Sequence, residues 1–456
     1  MEAVETIEAE AMGRDEVEPA NVPSRLTLVL WAFGLFALSF ALFMIGIAQP
    51  PDIYFDETWY VPTARTLLKT GEMLHQEHPP LGKLMIAAGM SIFGDNPLGW
   101  RFFSVVFGAA TISGVFVWSA ALLESAPAAV WVAVVTFLDA VVYVQARIAM
   151  LDIFLIAFAV FALAFFTYSF TARSAGAARA CILVTGLCLG LAAACKWSGW
   201  FLEFGLVALV LTIGLLRLWR ARFEDPRPTD FHRPDAPFAW SPLNSLFGFV
   251  LAPFFTYFLT YLPQMLHTGT IAEFWQSHVR MIDIMSGHSP DHPYMSLWYT
   301  WPILKRPIWY EFQVPGAETS DWSAAKPAMA VVGMPNPAVL ALGELALLYL
   351  LWRFFARREL KPAIVAIAYV SEFLPWAINP KGLEFAYYFF PSVVALGPAM
   401  GLAIFSPGWG RWTRPLAGIA AAICLGFFLF FLPVWAAGIG VTPAAFDMRM
   451  WLTSWR

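Results

Sequence analysis

The feature that most constrains this chain is a series of apolar segments long enough to cross a lipid bilayer. The hydrocarbon core of a bilayer is about 30 Å thick, so a helix that spans it needs roughly 20 consecutive, mostly apolar residues. Eleven segments of about this length follow one another along the chain: 26–48, 101–123, 128–146, 153–170, 180–195, 200–219, 243–262, 337–353, 362–378, 385–405 and 415–437. Because a backbone in hydrocarbon must satisfy its own hydrogen bonds, these segments predict an all-α polytopic membrane protein.

The composition agrees with this fold class. Hydrophobic residues make up 59% of the 456 residues and charged residues only 13%, whereas a soluble domain carries roughly 25% charged residues. Residues 1–24 are acidic and nearly free of large apolar side chains, so they are predicted to form a disordered tail. No basic stretch with a cleavage site precedes 26–48, which is therefore predicted to be a retained first span. Nucleic acid is not an expected partner.

Lysine and arginine residues in the short loops predict the orientation of the chain. With the amino terminus inside, the short outer loops hold about one cation each, at Arg147, Lys196 and Lys381. The inner segments hold many more: Arg14, Arg25, Arg173, Arg179, Arg217, Arg220, Arg222, Arg227, Arg233, Arg353, Arg357, Arg358, Lys361, Arg411 and Arg414. The positive-inside rule therefore places the amino terminus in the cytoplasm, and both long loops, 49–98 and 263–336, face outward.

An acidic pair, Asp56 and Glu57, follows the first span and lies among aromatic residues. Acids have no packing reason to lie at a bilayer surface in such company, so this pair is the first candidate for chemistry. Three cations lie at the outer ends of other spans, at Arg101, Arg147 and Lys196, where they can meet an anionic lipid headgroup. The acids and the cations together predict a pocket that holds a phosphate and deprotonates a group beside it.

Simpler interpretations exist for several of these residues. Asp56 and Glu57 can cap an interfacial helix that begins near Thr58, which is an ordinary task for an acid at a helix start. Arg147 and Asp152 can form an ion pair that locks the tight turn between two spans. The two interpretations of Arg147 are compatible if Asp152 holds Arg147 in place.

Two further residues of the first outer loop, His78 and Lys83, are supporting candidates. His78 precedes a rigid Pro-Pro turn, so it is either a structural histidine or a substrate contact. Lys83 can anchor its helix at the level of the lipid headgroups. No set of histidines and acids has the spacing of a metal site, although His78 and Glu57 could bind a divalent metal if the loops fold together. No metal or other cofactor is predicted to be required.

A transporter is a weaker interpretation of the same pattern. Many transporters consist of two similar halves with a charged site near the bilayer midplane. This sequence shows no internal repeat, and its ionisable residues gather at the outer ends of the spans. The pattern therefore favours an enzyme that works at the outer membrane surface.

The order of several short motifs resembles the protein O-mannosyltransferase family, within the GT-C superfamily of membrane glycosyltransferases, in its bacterial form. The motifs are Phe55-Asp56-Glu57, His78-Pro79-Pro80-Leu81-Gly82-Lys83, Arg101-Phe102-Phe103-Ser104, Ala146-Arg147 with Leu151-Asp152, Lys196-Trp197, His292-Pro293-Tyr294, Trp301-Pro302, Arg306-Pro307, Leu374-Pro375-Trp376 and Tyr387-Tyr388-Phe389-Phe390-Pro391. Each motif alone is weak, but the ordered set on an eleven-span topology is specific for the superfamily.

The resemblance implies a reaction and roles for the candidate residues. Family members transfer a sugar, typically mannose from polyprenyl phosphate mannose, to a Ser or Thr hydroxyl of a protein with inversion. Asp56 is then expected to be the catalytic base, with Glu57 as its support. The donor phosphate is expected to bind Arg101, Arg147 and Lys196.

The second outer loop is expected to contact the sugar or the acceptor. The residues proposed for these contacts are His292, Tyr294, Trp298, Trp301 and Arg306. The loop is too short for the β-trefoil modules of eukaryotic members, so it is expected to hold irregular structure with short interfacial helices. The short run 82–94 also predicts an interfacial helix.

The resemblance also suggests how the chain is organised and where it works. The expected parts are the tail 1–24, a GT-C catalytic membrane module 25–262, the loop 263–336, and a carboxyl-terminal membrane module with an outer tail, 337–456. The expected location is the inner (plasma) membrane of a bacterium, with the site outside. Two alternative functions stay open, namely sugar transfer to a lipid or an envelope glycan, and transport of a lipid-linked sugar.

Overall fold

The structure is a computed structural model that describes residues 24–223, 240–287, 292–314, 327–378, 383–405 and 409–456. The acidic tail predicted for residues 1–24 lies outside the described residues, except for Ser24. Ser24 caps the first helix by accepting a hydrogen bond from the Thr27 backbone N–H.

Helices make up most of the amino-terminal half. In chain order they are α1 (Arg25–Met44), α2 (Glu57–Thr70), α3 (Leu81–Phe93), α4 (Pro97–Leu123), α5 (Ala126–Phe137), α6 (Ala140–Gln145), α7 (Asp152–Thr171), α8 (Ala175–Cys195) and α9 (Gly199–Phe223). The carboxyl-terminal half of the chain begins with α10 (Pro242–Leu246), which continues through a π-helical turn (Phe247–Leu251) into α11 (Ala252–Thr260).

The second half adds more helices and one small sheet. Its elements are α12 (Leu262–Thr268), α13 (Ala272–Ser286), β1 (Ile308–Gln313), β2 (Met329–Gly333), α14 (Pro337–Arg357), α15 (Leu360–Phe373), α16 (Phe390–Val393), α17 (Leu396–Phe405), α18 (Thr413–Trp435) and α19 (Pro443–Asp447). Short 3-10 turns lie at Trp298–Thr300, Leu374–Ile378, Ala386–Phe389, Gly410–Trp412 and Thr453–Trp455.

Ten helical segments of the described residues are long and apolar enough to cross a membrane. They correspond to ten of the eleven predicted spans. The remaining one, 128–146, is divided between α5 and α6 by a break at Leu138 and Asp139. The break is stabilised by polar contacts, since Asp139 accepts a hydrogen bond from the Val141 N–H at 2.8 Å and Asn336 donates to the Leu138 carbonyl at 2.9 Å. The count of eleven spans stays a prediction.

Near the centre of the bundle, α7 packs closely against both α4 and α8. Small residues permit close approach at other contacts of α4 and α8. Gly108 of α4 faces Ala146, and Gly190 of α8 faces Pro253 of α11, so that a Cβ atom at either glycine would collide with its neighbour. Close packing at small residues is the usual way in which membrane helices associate.

The second outer loop contains more regular structure than predicted. Two helices, α12 and α13, lie in it as expected, but β1 and β2 pair as an antiparallel sheet. The carboxyl-terminal tail covers this sheet, since Ala328 pairs with Val441 and the Trp309 indole N–H donates to the Trp455 carbonyl at 3.0 Å. The expectation of irregular structure with short helices is thus incomplete.

Candidate active site

A cavity of about 870 Å³ opens where the two long loops meet one end of the helical bundle. Its acidic, basic and histidine lining residues come from separate parts of the chain: Asp56, His75, Glu77, His78, Asp152, Lys196 and His292. Aromatic and aliphatic side chains form the remaining wall, among them Phe201, Trp376, Ile378, Tyr387 and Tyr388. Of the acids and cations predicted to form one pocket, Asp56 and Lys196 therefore do meet around one space.

Asp56 reaches this cavity from the start of α2. The residue before it, Phe55, has a φ of 48°, a backbone conformation that bulky residues rarely adopt. The Phe55 ring stacks on Tyr310 with centroids 4.2 Å apart, which holds the turn in place. Asp56 makes no capping hydrogen bond with its side chain. Its carboxyl group is therefore not used as the helix cap that the simpler interpretation assumed.

Burial raises the pKa of Asp56 to about 7. The Lys196 ammonium opposes this effect, whereas the negative charges of Asp152 and Glu77 reinforce it, and a hydrogen bond with Tyr387 lowers the pKa again. A carboxyl group that ionises near neutral pH is well matched to general-base work, because it combines basicity with a substantial ionised fraction.

Glu57 points away from the cavity and forms a fully buried ion pair with Arg101 of α4. Both side chains are 0% exposed. The guanidinium donates to the two Glu57 carboxylate oxygens at 2.7 and 2.9 Å, and Glu57 also accepts from the backbone N–H groups of Tyr54 and Ala149. Neither residue lines the cavity. This pair supports Asp56 through the backbone that joins them.

The remaining guanidinium hydrogens of Arg101 bind the loop after α1. They donate to the carbonyls of Ile47, Pro50 and Asp52 at 3.0, 2.7 and 3.0 Å. Arg147 likewise binds backbone carbonyls at the end of α1, where it donates to those of Phe43, Ile45 and Gly46. The structure thus places both arginines on backbone carbonyls, outside the cavity lining where phosphate ligands were predicted.

Asp152 and Lys196 form an ion pair in the cavity wall. The Lys196 ammonium lies 2.9 and 3.1 Å from the two carboxylate oxygens. The same ammonium lies over the rings of Tyr387 and Tyr388, at 5.0 and 5.6 Å from their centroids. The predicted Arg147–Asp152 pair is therefore replaced by a pair with Lys196. Of the three predicted phosphate ligands, Lys196 is the one that faces the cavity.

Lys83 lies inside the first outer loop. Its side chain is 0% exposed and its ammonium donates to the carbonyls of His75 and His78 at 2.7 and 2.6 Å. A lysine that anchors a helix at the lipid headgroups would be exposed, so the predicted anchoring role does not fit the buried Lys83 side chain. It fixes the segment from which His75, Glu77 and His78 enter the cavity lining.

The five acceptor candidates of the second outer loop divide into two groups. His292 lines the cavity. The other four lie outside its lining: Tyr294, Trp298, Trp301 and Arg306. Trp301 is buried and its indole N–H donates to Ser296, and the backbone N–H of Trp298 donates to Glu384 at 2.6 Å. In this structure these tryptophans pack and tie the loop to the segment before Tyr387.

Sequence reasoning did not select several cavity residues as site residues, among them His75, Glu77, Tyr387 and Tyr388. The two tyrosines belong to a recognised motif, and their position at the start of the predicted span 385–405 was an available signal. The glutamate and His75 lie within three residues of His78 in sequence. Only the folded loop shows that these side chains face the cavity together.

The residues present do not fit the metal alternative. Glu57 would have to supply a ligand, yet Arg101 and two backbone N–H groups already occupy its carboxylate. Within the described ranges, no group of three or more His, Cys, Asp or Glu residues is arranged to hold a metal ion. The absence of a metal requirement stays a prediction.

The family model of dolichyl-phosphate-mannose-protein mannosyltransferase matches residues 34–100 and 93–268. The matched region runs from residue 34 to residue 268, which is more than half of the 456 residues. The chain belongs to this family. As a member of this family whose described residues include ten apolar helices of membrane-spanning length, it is an integral membrane protein.

Individual proteins that are similar to this chain support the family assignment along most of its length. The polyprenol-phosphate-mannose–protein mannosyltransferase of Mycobacterium tuberculosis is 27% identical over 465 residues, which cover 88% of this chain and 86% of the relative. The protein of the same name from Corynebacterium glutamicum is 26% identical over 480 residues, covering 88% of each chain.

Solved structures show the same fold. The protein O-mannosyltransferase Pmt1-Pmt2 complex of Saccharomyces cerevisiae, bound to the sugar donor, matches with a TM-score of 0.79 at 14% identity, covering 96% of this chain and 94% of that chain. ArnT from Cupriavidus metallidurans, bound to undecaprenyl phosphate, matches with a TM-score of 0.58 at 17% identity, covering 89% of this chain and 65% of that one. This chain therefore has the predicted GT-C fold.

Proposed function

We propose that this protein transfers a mannosyl residue from polyprenyl phosphate mannose to Ser and Thr hydroxyls of proteins, with inversion. The observation that carries the proposal is the partly buried Asp56 carboxyl group, whose pKa is raised to about 7 and which lines one cavity with Lys196. Relatives named as polyprenol-phosphate-mannose–protein mannosyltransferases cover most of the chain and support the choice of donor and acceptor.

In this reaction one bond forms and one bond breaks at the anomeric carbon. The acceptor hydroxyl oxygen attacks that carbon while Asp56 takes the hydroxyl proton. The bond between the anomeric carbon and the phosphate oxygen breaks, and its electron pair leaves with the lipid phosphate. A positioned base of this kind contributes roughly 10²- to 10⁴-fold to the rate.

Lys196 is suited to stabilise the departing phosphate. Charge grows on the phosphate oxygens as the bond breaks, and a fixed ammonium at that place lowers the barrier. In the structure Asp152 holds the ammonium at the cavity wall. The leaving phosphate departs as an anion, so this route uses no general acid.

The apolar wall of the cavity suits the lipid part of the donor. Phe201, Trp376 and Ile378 line it, and the Ile378 side chain is 83% exposed at its edge. Because these residues belong to segments long and apolar enough to span the membrane, an isoprenoid chain could leave the cavity here without crossing polar surface.

The proposed orientation follows from the lysine and arginine distribution. The amino terminus lies in the cytoplasm and the cavity opens on the opposite side of a bacterial plasma membrane. Exported proteins would then meet the site after they cross the membrane.

A transfer assay tests the proposed function. Purified protein is incubated with labelled polyprenyl phosphate mannose and a Ser/Thr-rich peptide, and label is followed into peptide and lipid fractions. We expect label in the peptide and none when its Ser and Thr residues are replaced by Ala. Label that enters only lipid or glycan would overturn the protein-acceptor proposal and favour the alternative acceptor. Label that stays on intact donor but moves between vesicle leaflets would indicate transport.

Replacement of Lys196 by Met is expected to weaken donor binding by about 10- to 100-fold, since a charge-assisted hydrogen bond contributes roughly 1.5–3 kcal/mol. Because this change also leaves Asp152 buried without its partner, Lys196→Met is compared with the double variant that adds Asp152→Asn. Equilibrium binding of labelled donor is the measurement. Lys69→Met, at an exposed lysine of α2, is the control. Wild-type donor affinity in both Lys196 variants would contradict the phosphate role.

A further inference from the structure

One wall of the cavity continues from Asp56 along α2 into the first outer loop. Trp59 follows Asp56 by three residues, so the two side chains share one face of α2, and both line the cavity. Trp59 is 58% exposed, and the His75 ring stacks on its indole with centroids 5.4 Å apart. The Nε2 atom of His75 lies 3.7 Å from a Glu77 carboxylate oxygen. Trp59, His75 and Glu77, here the α2 wall, thus form a continuous surface beside the proposed base.

Hydrogen bonds fix the loop segment 75–78, which carries two of these side chains. The Lys83 ammonium donates to the backbone carbonyls at the two ends of the segment, at 2.7 and 2.6 Å. From the second outer loop, the Arg280 guanidinium donates to the side-chain oxygen of Gln76. Glu77 therefore enters the cavity from a backbone that both outer loops hold in place. A group fixed in this way loses little conformational entropy when it binds a ligand.

The charges around the cavity decide which ligand suits the α2 wall. Lys196 lines the cavity but is paired with Asp152, whose two carboxylate oxygens lie 2.9 and 3.1 Å from its ammonium. Asp56 and Glu77 add two more carboxyl groups to the lining, and the proposed donor brings a phosphate. The Glu77 carboxylate would repel that phosphate, because like charges brought together cost free energy. The donor phosphate therefore suits Lys196, and the α2 wall remains for the acceptor.

We propose that the α2 wall binds the acceptor peptide next to the Ser or Thr that receives the sugar, and that Glu77 favours basic and rejects acidic side chains there. The inference rests on the proposed function, in which a protein is the acceptor. Trp59 offers a flat, largely apolar surface to the peptide, and its place one helical turn from Asp56 keeps the bound hydroxyl near the base. A Lys or Arg of the peptide gains a charge-assisted hydrogen bond with Glu77. An acidic side chain at the same place meets two carboxyl groups and the donor phosphate.

Paired acceptor peptides test the inference in the transfer assay. Each pair carries either Lys or Glu at one position within two residues of the acceptor Ser, and each position is tested in turn. At one or more positions the unaltered protein is expected to give a kcat/KM about tenfold higher for the Lys peptide, mainly through KM. Glu77→Gln is expected to remove most of this preference, and Glu77→Lys to reverse it. The control is Glu72→Lys, which makes the same change of charge at an exposed acid of the same loop, outside the cavity lining, and should keep the preference.

A second variant separates the aromatic surface from the charge. Trp59→Ala is expected to raise KM about fivefold for both peptides of a pair, with kcat and donor affinity little changed. If the unaltered protein shows no preference at any position, or if Glu77→Lys keeps the preference and only lowers kcat, the inference is wrong. If the unaltered protein transfers no label to any peptide, the proposed function fails first. The two failures are thus distinguishable.

Discussion

The variant Asp56→Asn is expected to lose at least about 100-fold in sugar transfer and to keep its affinity for the donor. An amide cannot take the hydroxyl proton, and a positioned base supplies roughly 10²- to 10⁴-fold. The substitution keeps the size of the side chain, and Asp56 makes no capping hydrogen bond that would be lost from α2. Transfer to a Ser/Thr peptide and equilibrium donor binding are measured on the same preparation.

The pH dependence of the unaltered protein tests the same group. Because burial raises the pKa of Asp56 to about 7, the carboxyl is protonated and inactive as a base below that value. The transfer rate is therefore expected to rise as the pH increases through about 7, and this limb should vanish in Asp56→Asn. The control is Asp95→Asn, at an acid that pairs with Arg65 outside the cavity lining. Residual transfer near the wild-type rate in Asp56→Asn would exclude Asp56 as the base.

Most of the membrane fold could be predicted from apolar segment length, because each helix in hydrocarbon must be long and apolar by itself. Two features of the fold could not be predicted in this way. The break between α5 and α6 depends on Asn336, a distant residue that donates to the Leu138 carbonyl. The sheet of β1 and β2 depends on a covering tail, including Val441, that pairs with Ala328. Both features are stabilised by contacts between remote parts of the chain.

The candidate site was predictable only in part: Asp56, His78, Asp152, Lys196 and His292 line the cavity, and the other predicted site residues do not. Asp56 and Glu57 are adjacent acids, yet one faces the cavity and the other is buried against Arg101. The strained turn at Phe55 sets this difference, and the sequence contains no simple signal for it. Likewise, a cation at the end of a span can bind a phosphate or cap another helix. Lys196 faces the cavity, whereas Arg147 binds the carbonyls at the end of α1.

Loss of the Glu57–Arg101 pair is expected to produce the largest effect on stability. In Arg101→Met, Glu57 becomes a buried charge without its partner, and three loop carbonyls lose their donor. Breaking a buried pair by removing one member typically costs about 3–5 kcal/mol of unfolding free energy. The expected result is a clear fall in the melting temperature of the detergent-solubilised protein. The control is Arg65→Met, since the exposed Arg65–Asp95 pair contributes at most about 1 kcal/mol.

The double variant Glu57→Gln with Arg101→Met separates the two tasks that Arg101 could have. If the pair is structural, removing both charges abolishes the unpaired buried carboxylate, and the double variant should be more stable than Arg101→Met alone. If Arg101 instead binds the donor phosphate, the single variant should keep its melting temperature and lose donor affinity. The structure predicts the first outcome, because every guanidinium nitrogen of Arg101 already donates to Glu57 or to a loop carbonyl.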